Sequence, residues 1–159
     1  GVSKEKANEL FTIYHERVPF VKTLMNSVSN RAQQRGQIRT LLGRLCRFHL
    51  WEPNQFGVHK ALPFDQARQE YGAGIKRAYT YKALNKLIQG SAADMTKKSM
   101  LELYKEGIVA HIQVHDELDI SVEDDKKAEQ IKQIMESAVE LEIPNKVDYE
   151  SGKNWGAIK

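Results

Sequence analysis

The sequence is poor in cysteine and has no long apolar run. Cys46 is the single cysteine among 159 residues, which excludes a disulfide framework and a cysteine-based zinc site. No stretch of about 18 apolar residues is present, and the N-terminal residues GVSKEKANEL have no apolar signal-peptide core. Internal repeats and low-complexity tracts are also missing. These absences predict one domain, or a piece of one, in a reducing intracellular setting and without a membrane partner.

Positive and negative charges are separated along the sequence, although the formal net charge is only +3. Residues 31–51 contain five arginines and no acid, and residues 116–142 contain ten acids and three lysines. A basic stripe indicates a polyanionic partner such as nucleic acid. An acidic stretch indicates either a solvated helix face or a metal site. The hydrophobic content of 41% is enough for a core.

The most informative stretch is IVAHIQVHDELDISV, residues 108–122. Apolar and polar residues alternate on both sides of a short polar break, which predicts two half-buried strands in an antiparallel hairpin. The break contains His115, Asp116 and Glu117, with no Gly or Asn. Asp116 is therefore the residue in the break that best tolerates the positive φ of a tight turn.

Two adjacent carboxylates in this turn need a compensating positive charge. Like charges raise each other's pKa unless a cation offsets them, and residues 108–125 contain no Lys or Arg. A divalent ion such as Mg²⁺, which prefers oxygen ligands, would supply the charge. The alternative is an ordinary solvated turn, in which acidic residues are common.

The rest of the sequence predicts helices and antiparallel strands without a βαβ rhythm, which is typical of an α+β fold. Ser3 is a candidate N-cap, Pro19 suits the first turn of a helix, and Gly36 suits a left-handed C-terminal position. The predicted segments are a helical segment (1–36), a basic hairpin and loop (37–63), helices (64–106), the 108–122 hairpin at the centre of a small sheet, and a helix, strand and tail (124–159).

Several finer predictions follow the same patterns. Residues 37–42 and 45–50 are predicted to pair as strands, and two prolines predict a loop over 51–63. Residues 75–89 are predicted as a clean helix, and Gly90 is predicted to be either a local break or a close-packing point. A strand is predicted at 146–149, with Trp155 as an anchor of the tail.

Tyr81, Asn85 and Gln89 are spaced four residues apart, so a helix would place them on one face. A solvated helix face is the common use of such amides. The alternative is that they hydrogen-bond to base edges or sugars of a nucleic acid.

Four segments together resemble the family A (DNA polymerase I-like) DNA polymerases. The stretch TYKALNKLIQGSAAD is most similar to phage-type members. QVHDEL at 113–118 resembles motif C of the polymerase palm, and NKLIQGSAADMTKKSM at 85–100 resembles the preceding helix. RTLLGRLCRF at 39–48 and SGKNW at 151–155 resemble an upstream segment and the C-terminal segment. GVSKEKANELFTIYHERVPFVK is similar to the helices after the fingers. The resemblance implies the C-terminal portion of a palm domain, in a bacterial cytoplasm or that of a phage host.

The resemblance also implies roles for individual residues. Asp116 would be the carboxylate that binds catalytic Mg²⁺, Glu117 an accessory carboxylate, and His115 a contact to the primer terminus. Asn85 and Gln89 would reach the minor-groove side of the primer–template. The implied phosphate contacts are Arg44 and its neighbour Arg39.

The sequence departs from the family pattern at Tyr81 and in the stretch 51–78, which is longer and less familiar than the compact loop that the resemblance implies. Many members have an arginine at the position of Tyr81, so either Tyr81 stacks on the DNA or Arg77 substitutes from one turn below. The family's motif A aspartate and its fingers helix have no counterpart in this sequence. Two-metal phosphoryl transfer needs carboxylates from both motifs to hold ions roughly 3.5–4 Å apart. The resemblance therefore predicts an incomplete polymerase that needs an upstream region or a second polypeptide, with primer–template DNA and dNTP as partners.

Two other functions fit the same residues. A duplex-binding module without chemistry would use the basic hairpin and the Tyr81, Asn85 and Gln89 face, with incidental carboxylates. A metal-dependent nuclease would use His115, Asp116 and Glu117, although the sequence offers no third ligand at a suitable spacing.

Overall fold

A computed structural model describes residues 1–55, 57 and 59–158. The predicted α+β class is confirmed, because helices are combined with short antiparallel sheets. The chain divides into two compact units, Gly1–Ile88 and Gln89–Lys159. Within the described residues, no helix combines the length and apolar character that crossing a membrane requires.

The described residues form five α-helices, seven strands and two turns of 3-10 helix. The helices are α1 (Lys4–Arg17), α2 (Pro19–Arg35), α3 (Phe64–Tyr71), α4 (Ala83–Lys105) and α5 (Asp125–Ser137). The strands are β1 (Gln37–Arg39), β2 (Leu45–Arg47), β3 (Leu50–Pro53), β4 (Leu62–Pro63), β5 (Ile75–Arg77), β6 (Ile112–Val114) and β7 (Glu117–Asp119). Single turns of 3-10 helix lie at Thr80–Lys82 and Trp155–Ala157.

The predicted boundaries of α1 and α2 at Ser3, Pro19 and Gly36 are confirmed. The Ser3 hydroxyl accepts a hydrogen bond from the Lys6 main-chain N–H at 3.3 Å, which satisfies one free donor at the start of α1. Pro19 opens α2, and Gly36 ends it in the left-handed conformation with φ 68°. A glycine adopts this conformation without the steric penalty of a Cβ.

The predicted loop over 51–63 and the predicted helix over 75–89 are partly wrong. Trp51 lies in β3, where it pairs with Leu62 of β4 on one side and Arg77 of β5 on the other. Pairing between distant segments overrides local propensity here, since β3 gains partners along both edges. Phe56 and Val58 of the predicted loop lie outside the described residues.

The core of the first unit joins α2 to the β1–β2 hairpin. Ile38 and Cys46 are cross-strand partners and face inward, and Phe48 follows β2. This arrangement leaves the outer face of the hairpin to solvent. The buried residues of the cluster are Val28, Ala32, Ile38, Phe48 and Ala83.

Helix α4 continues through Gly90, so of the two alternatives predicted for this residue the local break is wrong. A glycine inside a helix costs roughly 1 kcal/mol relative to alanine, which a 23-residue helix can tolerate. In the second unit, α4 and α5 bury Leu103 and Ile131 around Ile108.

The hairpin of the second unit forms where the alternation predicted it, but only one strand has its apolar residues packed. Ile112 is opposite Asp119, Gln113 opposite Leu118, and Val114 opposite Glu117. Opposite residues share a face, so Leu118 and the apolar residues of β6 lie on different faces. Leu118 packs on the core, whereas Ile112 and Val114 are exposed. The prediction of a half-buried β6 is therefore wrong.

The C-terminal predictions are mixed. Asp124 caps α5, with its carboxylate accepting the Lys127 main-chain N–H at 2.7 Å. The predicted strand at 146–149 is wrong, because these described residues have no strand pairing. The Val147 main-chain N–H instead donates to a carboxylate oxygen of Glu136 at 3.1 Å. Trp155 is 58% exposed, so its prediction as an anchor is wrong.

Candidate nucleic-acid and metal-binding site

The turn of the β6–β7 hairpin contains the predicted catalytic residues. The register leaves His115 and Asp116 as a two-residue turn, and Glu117 opens β7. Such turns need a positive φ at the first central residue. His115 takes it, with φ 52°, and the expectation that Asp116 does so is wrong. Histidine is among the non-glycine residues enriched in this region, which explains why the turn forms without a glycine.

Gln113, which the sequence pattern did not mark as a site residue, supports this turn. The Gln113 amide Nε2 donates a hydrogen bond to the His115 carbonyl oxygen at 2.5 Å. His111 extends the pairing beyond β6, since its main-chain N–H donates to the Asp119 carbonyl at 2.8 Å. Its ring Nε2 lies 3.1 Å from the Ser121 hydroxyl. The sequence signal that could have identified Gln113 is its position as the first residue of QVHDEL.

The carboxylates of Asp116 and Glu117 are exposed. Among the described residues, no side chain forms an ion pair or hydrogen bond with either of them. The structure of these residues contains no group of three or more His, Cys, Asp or Glu that could hold a metal. Asp116 and Glu117 thus present carboxylate oxygens of the kind that hard divalent cations prefer, and the two residues would form only part of such a site.

The basic hairpin presents arginines on its outer face. Cross-strand pairing places Arg39 and Arg47 on the side opposite the buried Ile38. The Arg39 guanidinium donates to the Gly43 carbonyl at 2.8 Å, which closes the loop between β1 and β2. Arg44 lies in that loop and is exposed, and its main-chain N–H donates to the Thr40 hydroxyl at 3.0 Å.

The predicted DNA contacts Tyr81, Asn85 and Gln89 are exposed. Tyr81 precedes the helix, in the 3-10 turn, and is 67% exposed. The ammonium group of Lys82 lies 5.5 Å from the centroid of its ring. Asn85 lies in the first turn of α4, and Gln89 lies in the same helix.

The Arg77 guanidinium is part-buried and contacts three residues of the first unit. Its Nε donates to the Gln33 carbonyl at 3.2 Å, and its Nη1 donates to the Phe48 carbonyl at 2.9 Å. The guanidinium carbon also lies 4.6 Å from the centroid of the Trp51 ring. The sequence spacing gave no sign of these contacts, which depend on the pairing of β5 with β3.

Comparison with known proteins identifies the family. The family model for DNA polymerase family A matches residues 1–157. The chain belongs to DNA polymerase family A. The resemblance inferred from the four sequence segments is therefore confirmed. The family A chain is 37% identical over 147 residues to a DNA-directed DNA polymerase of Pseudomonas phage M6, which covers 92% of the chain and 19% of that relative.

Bacterial relatives show the same partial coverage. The family A chain is 32% identical over 170 residues to DNA polymerase I of Lactococcus lactis subsp. lactis strain IL1403, covering 100% of the chain and 17% of the relative. A solved structure of the POL domain of Pol1 from M. smegmatis, in complex with DNA primer-template and dNTP, is similar with a TM-score of 0.71 and 28% identity. That match covers 99% of the chain and 26% of the other. The chain spans less than a fifth of the length of these curated relatives.

Proposed function

We propose that this chain contributes part of the nucleotidyl-transfer site and the primer–template contacts of a DNA-directed DNA polymerase that replicates DNA inside the cell. The observation that carries the proposal is the β6–β7 turn, in which Asp116 and Glu117 present adjacent exposed carboxylates. Membership of family A supports this activity, and the solved relative with primer-template and dNTP supports the same substrates.

The proposed reaction is template-directed addition of a nucleotide. The primer 3′-hydroxyl gives up its proton to water and its oxygen bonds to the α-phosphorus of a dNTP, while the bond from that phosphorus to the oxygen bridging to the β-phosphate breaks and pyrophosphate leaves. Asp116 and Glu117 would hold Mg²⁺, which when bound stabilises negative charge on the reacting phosphate. His115 donates a hydrogen bond that orients the primer terminus. An upstream region or a second polypeptide supplies the remaining carboxylate and the fingers.

The proposed DNA contacts divide by chemistry. The outer face of the basic hairpin, with Arg39 and Arg44, binds phosphates of the duplex and sets its register. The amides of Asn85 and Gln89 donate to minor-groove acceptors, which all base pairs present in similar positions. Tyr81 stacks on a base or sugar, as exposed aromatic side chains do at single-stranded sites.

Primer extension tests the catalytic part of the proposal. We expect the 159-residue chain alone to be inactive, and a polymerase that combines it with the missing motifs to extend a primer. Asp116→Ala in that polymerase should lower kcat by more than about 100-fold, since even the loss of a group that only supports a metal ligand costs 10–100-fold. Duplex affinity should stay the same. Asp148→Ala, an exposed acid with the same change of charge, is the matched control.

The outcomes separate the proposed enzyme from the alternatives. Unchanged synthesis by Asp116→Ala would favour a duplex-binding module without chemistry. Robust extension by the isolated chain would contradict the need for another segment. Mg²⁺-dependent DNA cleavage by the isolated chain, abolished in Asp116→Ala, would favour a nuclease.

A further inference from the structure

Arg77 occupies a junction of three parts of the first unit. It ends β5 and lies directly opposite Trp51 of β3. Its guanidinium donates to the carbonyl of Gln33 in the last turns of α2 and to the carbonyl of Phe48 just after β2. The same group stacks over the Trp51 ring, with 4.6 Å between the guanidinium carbon and the ring centroid. The planar, multiply donating arginine head group suits this combination of stacking and divergent hydrogen bonds.

Gln33 returns the contact to the backbone of Arg77. In the amide orientation that satisfies both of its side-chain atoms, the Gln33 oxygen accepts the Arg77 main-chain N–H at 2.8 Å. The Gln33 nitrogen donates to the Arg77 carbonyl at 3.1 Å and to the Thr80 hydroxyl at 3.3 Å. Thr80 is the first residue of the 3-10 turn that carries Tyr81 and leads into α4. The pair therefore joins the end of α2 to the start of α4.

The base of the basic hairpin is joined to the same pair. Gly36 separates α2 from β1, and its carbonyl accepts the Phe48 main-chain N–H at 2.8 Å. A Cβ added at Gly36 would lie 2.7 Å from the guanidinium carbon of Arg77. The guanidinium thus packs directly on the backbone from which the hairpin emerges.

We infer that Arg77 is a positioning residue of the DNA-binding surface rather than a DNA contact. Together with Gln33 it holds the Tyr81 turn and the arginine-bearing hairpin in one preformed arrangement, so neither has to be ordered when DNA binds. This inference rests on the proposed function, and it replaces the expectation that Arg77 substitutes for the family's arginine at position 81.

Duplex binding by the 159-residue chain tests the inference. The probe is a fluorescent primer–template duplex, and its dissociation constant is measured by anisotropy at several salt concentrations. Active protein is counted by stoichiometric titration, so a merely less stable variant shows fewer binding molecules with an unchanged constant. Arg68→Ala, which removes an exposed arginine of α3, is the control for lost charge.

The variants distinguish positioning from phosphate contact. Arg77→Ala removes charge-assisted hydrogen bonds and Gln33→Leu removes neutral ones, and each should weaken binding on the order of tenfold, within the range expected for lost hydrogen bonds. The salt dependence should not change. The two variants remove different hydrogen bonds of one arrangement, so if the loss of either set releases that arrangement, the double variant should bind no worse than either single one. Arg77→Lys keeps the charge but should fail to restore affinity.

The opposite pattern would overturn the inference. A phosphate contact would lower the salt slope by about 0.9 in Arg77→Ala, and Lys would rescue binding. Unchanged affinity in Gln33→Leu also contradicts a positioning role, and it decides the question if Arg77→Ala does not fold. Absence of binding by the unmodified chain would overturn the DNA-binding proposal as well. Normal binding by the unmodified chain and all Arg77 variants would overturn only the positioning role.

Discussion

The side-chain amide of Gln113 is hydrogen-bonded to the carbonyl oxygen of His115 at 2.5 Å, across the start of the turn that presents Asp116. His115 has φ 52°, a backbone conformation that residues other than glycine rarely adopt. The hydrogen bond therefore stabilises an unfavourable backbone conformation at the position where the proposed metal ligands begin.

Removing the Gln113 donor should loosen this turn. We expect Gln113→Leu to lower the free energy of unfolding by about 1 kcal/mol, because the His115 carbonyl loses its partner. Urea unfolding measures the change, and the His115 backbone chemical shifts report the turn. Gln34→Leu, at an exposed position of α2, should stay within about 0.5 kcal/mol of the unmodified chain. Equal losses in the two variants would contradict a specific role for Gln113.

Relieving the backbone conformation at His115 should separate stability from activity. His115→Gly removes the Cβ that disfavours positive φ, so we expect it to be more stable than His115→Ala by about 1 kcal/mol. Both variants lack the imidazole, and both should extend primers equally poorly in the reconstituted polymerase. Thermal unfolding and primer extension give the two readouts. A glycine variant less stable than the alanine variant would show that the turn does not need its left-handed residue.

Gly36 should tolerate no side chain. Its φ of 68° penalises any L-residue, and a Cβ would also displace the held Arg77 guanidinium. We expect Gly36→Ala to destabilise the chain by about 2 kcal/mol or more. Gly74 provides the matched control, because its φ is not positive and a Cβ there meets nothing within 4 Å. Chemical denaturation of both variants tests the difference, and similar values for the two would disprove it.

Glu102 should titrate below the usual range. Its carboxylate accepts hydrogen bonds from Lys98 and, at 3.0 Å, from Lys105. These bonds hold the pKa of Glu102 below 4.5, and the bond from Lys98 makes the larger contribution. A lowered carboxyl pKa adds stability that is present above pH 4.5 and is lost as the pH falls through the folded-state pKa. NMR titration of the Glu102 carboxyl carbon measures this pKa.

Single lysine changes identify the cause of the Glu102 shift. Lys98→Met should raise the pKa of Glu102 toward 4.5, because the larger of the two lysine contributions is lost. Lys97→Met, which removes an exposed lysine without a contact to Glu102 in the described structure, should leave it unchanged. A wild-type midpoint at or above 4.5 would contradict the prediction.

Features that depend on a few neighbouring residues could be read from the sequence. The cap at Ser3, the helix start at Pro19 and the left-handed Gly36 each follow from local backbone chemistry, and the structure has all three. The hairpin at 108–122 and the family could also be recognised, because the alternation of apolar residues and the order of the motifs are both visible in the sequence alone.

Features that depend on long-range pairing were decided only in three dimensions. The alternation does not show which apolar residues of the hairpin face the core. The two-residue turn puts Ile112 and Leu118 on opposite faces, although both have the same parity in the sequence. Likewise, Ile75–Arg77 is predicted as part of a helix but forms a strand because β3 offers it an edge. That pairing brings Arg77 to Gln33, 44 residues earlier, a contact that no local pattern encodes.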